Sequence, residues 1–307
     1  MTKSVKRRKW HHSVLKNYEL YLLLLPVVAF YVIFHYVPMY GVQLAFKDFR
    51  ASLGIWGSPW IGLEHFQRFF SGFFIRRLIV NTLSINIYTL ALNFVASIVL
   101  ALMLNEVGVR KIKKTVQTVT YAPYFLSVVV MVGMLNVILA PTGGLVNNVI
   151  RLFGREPIHF MAEPGWFIHI YAWSDAWQFT GFNSIIYLAA LAGIDPELHE
   201  AAQIDGASRL KRIRHINIPG IMPTIVILFI LSCGRVMSLG FEKVFLMQNG
   251  ANMAASDVIA TYVYRVGIIN FDYGFSAAIG LFNSGINFIL LAAANLFGKL
   301  VYGYSLF

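Results

Sequence analysis

Residues 20–41 read LYLLLLPVVAFYVIFHYVPMYG. Over Tyr21–Phe34 every face is apolar, so neither a helical nor a stranded period leaves a wet side. As a helix, 22 residues rise about 33 Å, enough to cross a hydrocarbon core of about 30 Å. A strand of a membrane barrel would alternate over about 10 residues, and this stretch does not. Five further apolar runs follow at Leu78–Leu104, Val116–Ala140, Trp166–Ala192, Ile221–Leu239 and Phe275–Phe297. The expectation is an all-α integral membrane protein of six transmembrane helices. It forms one membrane domain over 20–307, after a basic tail over 1–19.

Composition requires lipid as part of the solvent. The chain of 307 residues is 58% hydrophobic and 13% charged, with mean hydropathy +0.65. Soluble domains carry about 25% charged residues, so a chain with half that charge cannot cover a soluble surface. The N-terminus, basic and then apolar, resembles a secretory signal. The apolar stretch is too long for one and no small-x-small cleavage pattern follows, so a retained first helix is expected.

The net charge of +11 raises nucleic acid as a partner. Its location argues for topology instead. With the N-terminus in the cytoplasm, segments 1–19, 105–115, 193–220 and Lys299 carry 15 Lys and Arg. The outer segments, which are longer, carry nine: Lys47, Arg50, Arg68, Arg76, Arg77, Arg151, Arg155, Lys243 and Arg265. That density contrast follows the positive-inside rule, puts both termini in the cytoplasm and makes anionic lipid headgroups the partner of the charge. A multi-pass membrane protein is expected, with no nucleic acid bound. In the outer loop 42–77, Glu64–Phe74 sets Phe66, Phe69, Phe70 and Phe73 at helical spacing, as an interfacial amphipathic helix does. Pro26 and Pro123 permit kinks in the first and third helices, or are simply tolerated there.

Cys233 is the sole cysteine, so no intrachain disulfide can form. The eight histidines include no HExxH, and the one adjacent pair, His11-His12, lies in the tail; no metal site is expected.

Between the fourth and fifth runs the chain is polar and ordered in pattern. Asp195 and Pro196 supply an N-cap and a first-turn proline, and Glu197 follows where a helix dipole favours an anion. Ala201, Ala202 and Ala207 are small, and Gly206 lets the chain turn. Arg209, Lys211, Arg212 and Arg214 form a basic second segment that leads through Ile216, Ile218 and Pro219 into the fifth helix. A short rigid helix at the cytoplasmic surface suits docking in the groove of a soluble partner.

The stretch Glu200-Ala201-Ala202, then Asp205-Gly206-Ala207, then Ile216, Ile218 and Pro219 resembles the EAA loop of binding-protein-dependent importer permeases. Ile218 stands where leucine is common. Tyr121-Ala-Pro-Tyr-Phe125, Gly240-Phe-Glu-Lys-Val-Phe-Leu246 and the segment from Asp257 to Tyr264 resemble the LplB-type polysaccharide permeases, so the likeness covers nearly the whole chain. The resemblance implies the type I ABC importer permease architecture. It also implies a coupling role at 193–219, with Glu200, Ala201, Ala202, Asp205 and Gly206 seated on a separate ATPase. It further implies a second permease subunit, two ATP-binding subunits, an extracellular solute-binding protein and a sugar or oligosaccharide cargo. No GxxxxGK[ST] phosphate loop occurs, so ATP and Mg belong to the partner ATPase; this chain is not an enzyme and carries no cofactor.

Polar residues inside the apolar runs mark candidate pathway positions. They are Trp173, Trp177, Gln178, Asn183 and Tyr187 in the fourth run, Asn86 and Asn93 in the second, and Asn283 and Asn287 in the sixth. Aromatic faces with planar amides suit sugars, but the same residue types also hydrogen-bond between helices. Arg235, in the fifth run, has three readings: pairing with Asp175 or Glu242, snorkelling to the outer surface, or contact with an acidic sugar. Two other classes remain as rivals. An ion-driven secondary transporter would have repeated halves, and an intramembrane enzyme would need a partner for Cys233.

Overall fold

A computed structural model describes residues 17–306. The basic tail, apart from its last three residues, and the His11-His12 pair lie outside the described residues. Among the described residues the chain is helical and irregular, with one isolated antiparallel bridge between Lys47 and Trp60. In chain order the main helices are α1 Tyr18–Phe46, α2 Glu64–Phe70, α3 Ile75–Glu106, α4 Arg110–Phe125, α5 Val128–Ile138 and α6 Leu145–Leu152. Then come α7 Pro164–Ala192, α8 Pro196–Ile204, α9 Arg209–Gly220, α10 Met222–Cys233, α11 Phe241–Met247, α12 Ile259–Ile269 and α13 Tyr273–Tyr302.

α3 and α7 pack along each other at the centre. On α3 the buried stripe Leu78, Thr82, Ile85, Thr89, Ser97, Ala101 and Leu104 repeats at spacings of three, four and, once, eight, which keeps one face on the bundle. Of the three helices long and apolar enough to cross a membrane, α1, α3 and α13, α1 has none of its apolar window buried. Its side chains find their apolar surroundings outside this chain.

Two runs expected as single helices are not continuous. Val116–Ala140 divides into α4 and α5, which meet at 101°. Pro123 lacks the N–H that would continue the ladder, Ala122–Phe125 tighten to a 3₁₀ turn, and Leu126 goes extended. Ser127 then restarts the helix by accepting the Val130 N–H at 3.3 Å. Ile221–Leu239 stops at Cys233, because the next residues turn and are held from outside. The Met237 N–H donates to Asn287 Oδ1 at 2.8 Å, and Asn287 Nδ2 donates to the Ser238 hydroxyl at 2.8 Å. Arg235 therefore sits in a turn rather than inside a helix, and it is exposed. The amphipathic helix expected over Glu64–Phe74 ends at Phe70, and one of its faces packs on the bundle. Phe69 is buried against Phe275 and Phe282 of α13.

Gly181 is required where α4 crosses α7. A Cβ there would collide with the Thr120 carbonyl. Gln178, three residues earlier, closes the same junction: its Nε2 donates to the Leu126 carbonyl, at the bend, at 2.9 Å.

Candidate functional site: an exposed hairpin and a polar cavity

The hairpin of α8 and α9 is built as the sequence suggests. Asp195 accepts the Glu197 N–H at 3.0 Å, and Pro196 occupies the first turn. The end of α8 is a Schellman turn. The Gly206 N–H donates to the Gln203 carbonyl at 3.0 Å and the Ala207 N–H to the Ala202 carbonyl at 2.8 Å. Gly206 has φ +73, a left-handed conformation that a residue with Cβ adopts at a cost of about 1–2 kcal/mol. Ser208 then caps α9 through the Lys211 N–H.

No residue of α8 is buried. Glu200, Ala201, Asp205 and Gly206 are exposed and Ala202 is half-buried. Leu198, Ile204 and Leu210 also stand out from the surface, Ile204 with 86% of its area exposed. Those three apolar side chains carry no sequence mark of their exposure, since an amphipathic helix would ordinarily turn them inward.

The hairpin is tied to the bundle by one apolar cluster. Ala101 and Leu102 of α3, Tyr187 and Leu191 of α7 and Ile221 form its buried centre, with Ile194, Ile213 and Ile218 of the hairpin packed on it. Buried Asn217 adds a hydrogen bond to Glu106 at the end of α3. Packed side chains transmit displacement because interiors have low compressibility.

Tyr187 and Leu228 of this cluster also wall a cavity of about 420 Å³ between α3, α7 and the end of α10. Five candidate residues meet there: Asn86, Asn93, Asn183, Tyr187 and Arg235. Thr89 and Ser97 line it as well, and their buried hydroxyls have no partner among the described residues. The other candidates lie elsewhere. Trp173 donates to the Tyr88 hydroxyl at 3.0 Å and faces a separate cavity of about 540 Å³ with Trp166 and His169. Trp177 is exposed outside both cavities, and Gln178 is buried at the α4–α5 bend. Asn287 caps the turn after α10, and Asn283 lies on α13 with its Oδ1 buried and unpartnered.

Asp175 does not pair with Arg235 or near it. Lys243 of α11 reaches it at 3.2 Å and is itself almost fully buried. Asn93 Nδ2 donates to the other carboxylate oxygen at 2.7 Å, and Lys243 also donates to the Tyr171 carbonyl and sits 4.5 Å from its ring centroid. Burial pushes the Lys243 ammonium below its ordinary pKa, while the Asp175 carboxylate pulls it back up. A second buried carboxylate, Asp257, 1% exposed, takes Arg77 and Arg265 at 2.8 Å each and ties α3 to α12. Sequence reading missed both carboxylate partners. The only available signal was a lysine and an aspartate standing within otherwise apolar stretches.

The family model for "Binding-protein-dependent transport system inner membrane component" matches residues 93–301, which contain the hairpin and most of the cavity wall. This chain belongs to that family. The permease is 41% identical over 297 residues to the Polygalacturonan/rhamnogalacturonan transport system permease protein YteP of Bacillus subtilis (strain 168), covering 97% of this chain and 92% of YteP. It is 40% identical over 296 residues to Protein LplB of the same strain, covering 96% and 90%. Among solved structures it resembles a chain of a bacterial ABC transporter involved in the import of the acidic polysaccharide alginate. The TM-score is 0.88 at 37% identity, covering 96% of this chain and all of that one. A second structure, of a bacterial alginate ABC transporter with an alginate pentasaccharide-bound periplasmic protein, gives TM-score 0.89 at 35% identity, covering 97% and 100%. The permease is thus a transport subunit of a multi-pass, all-helical membrane fold and not an enzyme. The secondary-transporter and intramembrane-enzyme readings give way to it.

Proposed function

We propose that the permease forms half of the translocation pathway of an ATP-driven importer for an oligosaccharide. The 420 Å³ cavity is the part of the pathway this chain contributes. A second permease packs against it, two ATP-binding subunits hold ATP and Mg at the cytoplasmic face, and an extracellular binding protein delivers the cargo. The chain crosses the bacterial inner membrane six times, with both ends in the cytoplasm. α1, α3 and α13 cross as long helices, α4–α5 as a broken span, α10 as the span that follows the cytoplasmic α9, and α7 as the polar span facing the cargo. The saccharide class rests on the likeness to YteP and to the alginate importer.

The observation that carries this reading is the hairpin. It is rigid, capped at both turns, presents Leu198, Ile204 and Leu210 to the outside, and is packed on a cluster that also walls the cavity. Burying three such side chains in a partner groove contributes about 1.5–3 kcal/mol each. ATPase closure that pushes α8 therefore moves the cavity wall.

The test is uptake by the reconstituted complex with Gly206→Asp, or with tryptophan at Ala201 and Ala202. Uptake falls by at least an order of magnitude while the permease still inserts and its partner permease co-purifies. Undiminished uptake, with ATPase association intact, would refute the docking role.

A further inference from the structure

We propose that Arg235 reads a carboxylate on the transported saccharide, so that the cavity selects uronate-bearing oligosaccharides over neutral ones. The inference rests on the cavity being the pathway, as proposed above.

The first observation is the lack of a carboxylate partner for Arg235, which among the described residues it shares with cations such as Arg76, Arg155 and Arg209, while five others are paired. Arg50, Arg68, Arg77, Lys243 and Arg265 each pair with a carboxylate. Arg235 has no ion pair among the described residues, and it lines the cavity from the turn after α10. Asp175 on α7 is satisfied by Lys243 and Asn93. A guanidinium that lines a cavity without a carboxylate partner suits an anionic ligand.

The second observation is the lining. Among the described residues, Arg235 is the one charged residue that walls the cavity, and no aspartate or glutamate lines it. The rest of the polar wall is amides and hydroxyls, including the unpartnered hydroxyls of Thr89 and Ser97. Those groups accept and donate to sugar hydroxyls, while a guanidinium fork matches a carboxylate bidentately. A volume of about 420 Å³ is in the range of small-ligand sites.

The third observation is fixation. Arg235 lies in the turn that Asn287 pins through the Met237 N–H and the Ser238 hydroxyl, so the guanidinium is carried by a held backbone rather than a free loop. A pre-positioned cation loses less on binding than one that must be ordered.

The experiment measures binding of labelled trigalacturonate and of its fully methyl-esterified counterpart to the purified permease–ATPase complex in detergent, without the solute-binding protein. The wild-type complex favours the free acid by about tenfold or more. Arg235→Gln loses about 10- to 100-fold in affinity for the acid, the span expected when one charged hydrogen-bond partner is removed, with the ester unchanged. Arg235→Lys, which keeps the charge but not the fork, falls between. Arg235→Gln that binds the acid as wild type does, or that loses acid and ester equally, overturns the assignment. Asn183→Trp, which fills the cavity, separates the two readings. If it abolishes binding of both sugars while Arg235→Gln keeps the acid preference, only the arginine's role fails. If it leaves both sugars bound, the pathway reading fails and this one with it.

Discussion

Replacing Lys243 with methionine tests how α7 and α11 are held together. Lys243 is almost fully buried, and Asp175 keeps only 16% of its side chain exposed. The substitution leaves that carboxylate with Asn93 as its remaining partner at 2.7 Å and with no counter-charge among the described residues. Removing one member of a buried ion pair costs about 3–5 kcal/mol, mostly because the other charge is stranded. At about 2 °C per kcal/mol for a chain of this size, the melting temperature of the purified complex falls by about 6–10 °C. The double variant Lys243→Met with Asp175→Asn removes the stranded charge and recovers most of the loss. The assay is thermal unfolding of the detergent-purified complex for both single variants and the double. A Lys243→Met melting temperature within a degree or two of wild type would refute the reasoning. So would a double variant destabilised by the full sum of the two singles, because the pair would then not be coupled.

Gly181→Val forces a branched side chain into the Thr120 carbonyl, so the α4–α7 crossing must open; a loss of more than about 2 kcal/mol is expected from overpacking, read as a lower melting temperature and reduced yield of assembled complex. Gln178→Leu strips the Leu126 carbonyl of its donor and costs about 1–3 kcal/mol in stability, yet saccharide affinity stays at the wild-type value because Gln178 does not line the cavity. Asp257→Asn weakens the pairing of both Arg77 and Arg265 and loosens α3 from α12, seen as faster amide exchange over Ile259–Ile269.

What the sequence discloses here follows the range over which each feature is determined. The capped hairpin is local: Asp195 and Pro196 start α8, Gly206 ends it, and each acts within a few residues. The apolar runs are equally local, and most become helices near their expected places. The end of α10 is not local. Val236 and Met237 are as apolar as the residues before them, and the amide that holds the turn comes from Asn287, 50 residues on. The same holds for Asp175, whose partner Lys243 is 68 residues away on an element that sequence reading leaves as loop. Pro123 announces a permitted kink, but not a 101° one, because the stabilising donor to Leu126 is Gln178, 52 residues later. Of the pathway candidates, Asn86, Asn93, Asn183, Tyr187 and Arg235 gather in one cavity, while Trp173 and Trp177 face away from it. An aromatic–amide pattern on one helix says which residues are polar, and rotation about the helix axis decides which of them share a cavity.

The most direct measurement is disulfide or bifunctional-reagent crosslinking from a cysteine placed at Ala201, in a Cys233→Ser background, to cysteines scanned across the groove of the assembled ATPase subunit. The account predicts efficient, position-specific crosslinking that changes between nucleotide-free and ATP-trapped states, with uptake blocked once the link forms. Crosslinking to an externally applied, membrane-impermeant reagent, or no link to the ATPase in a complex that still transports, would contradict it.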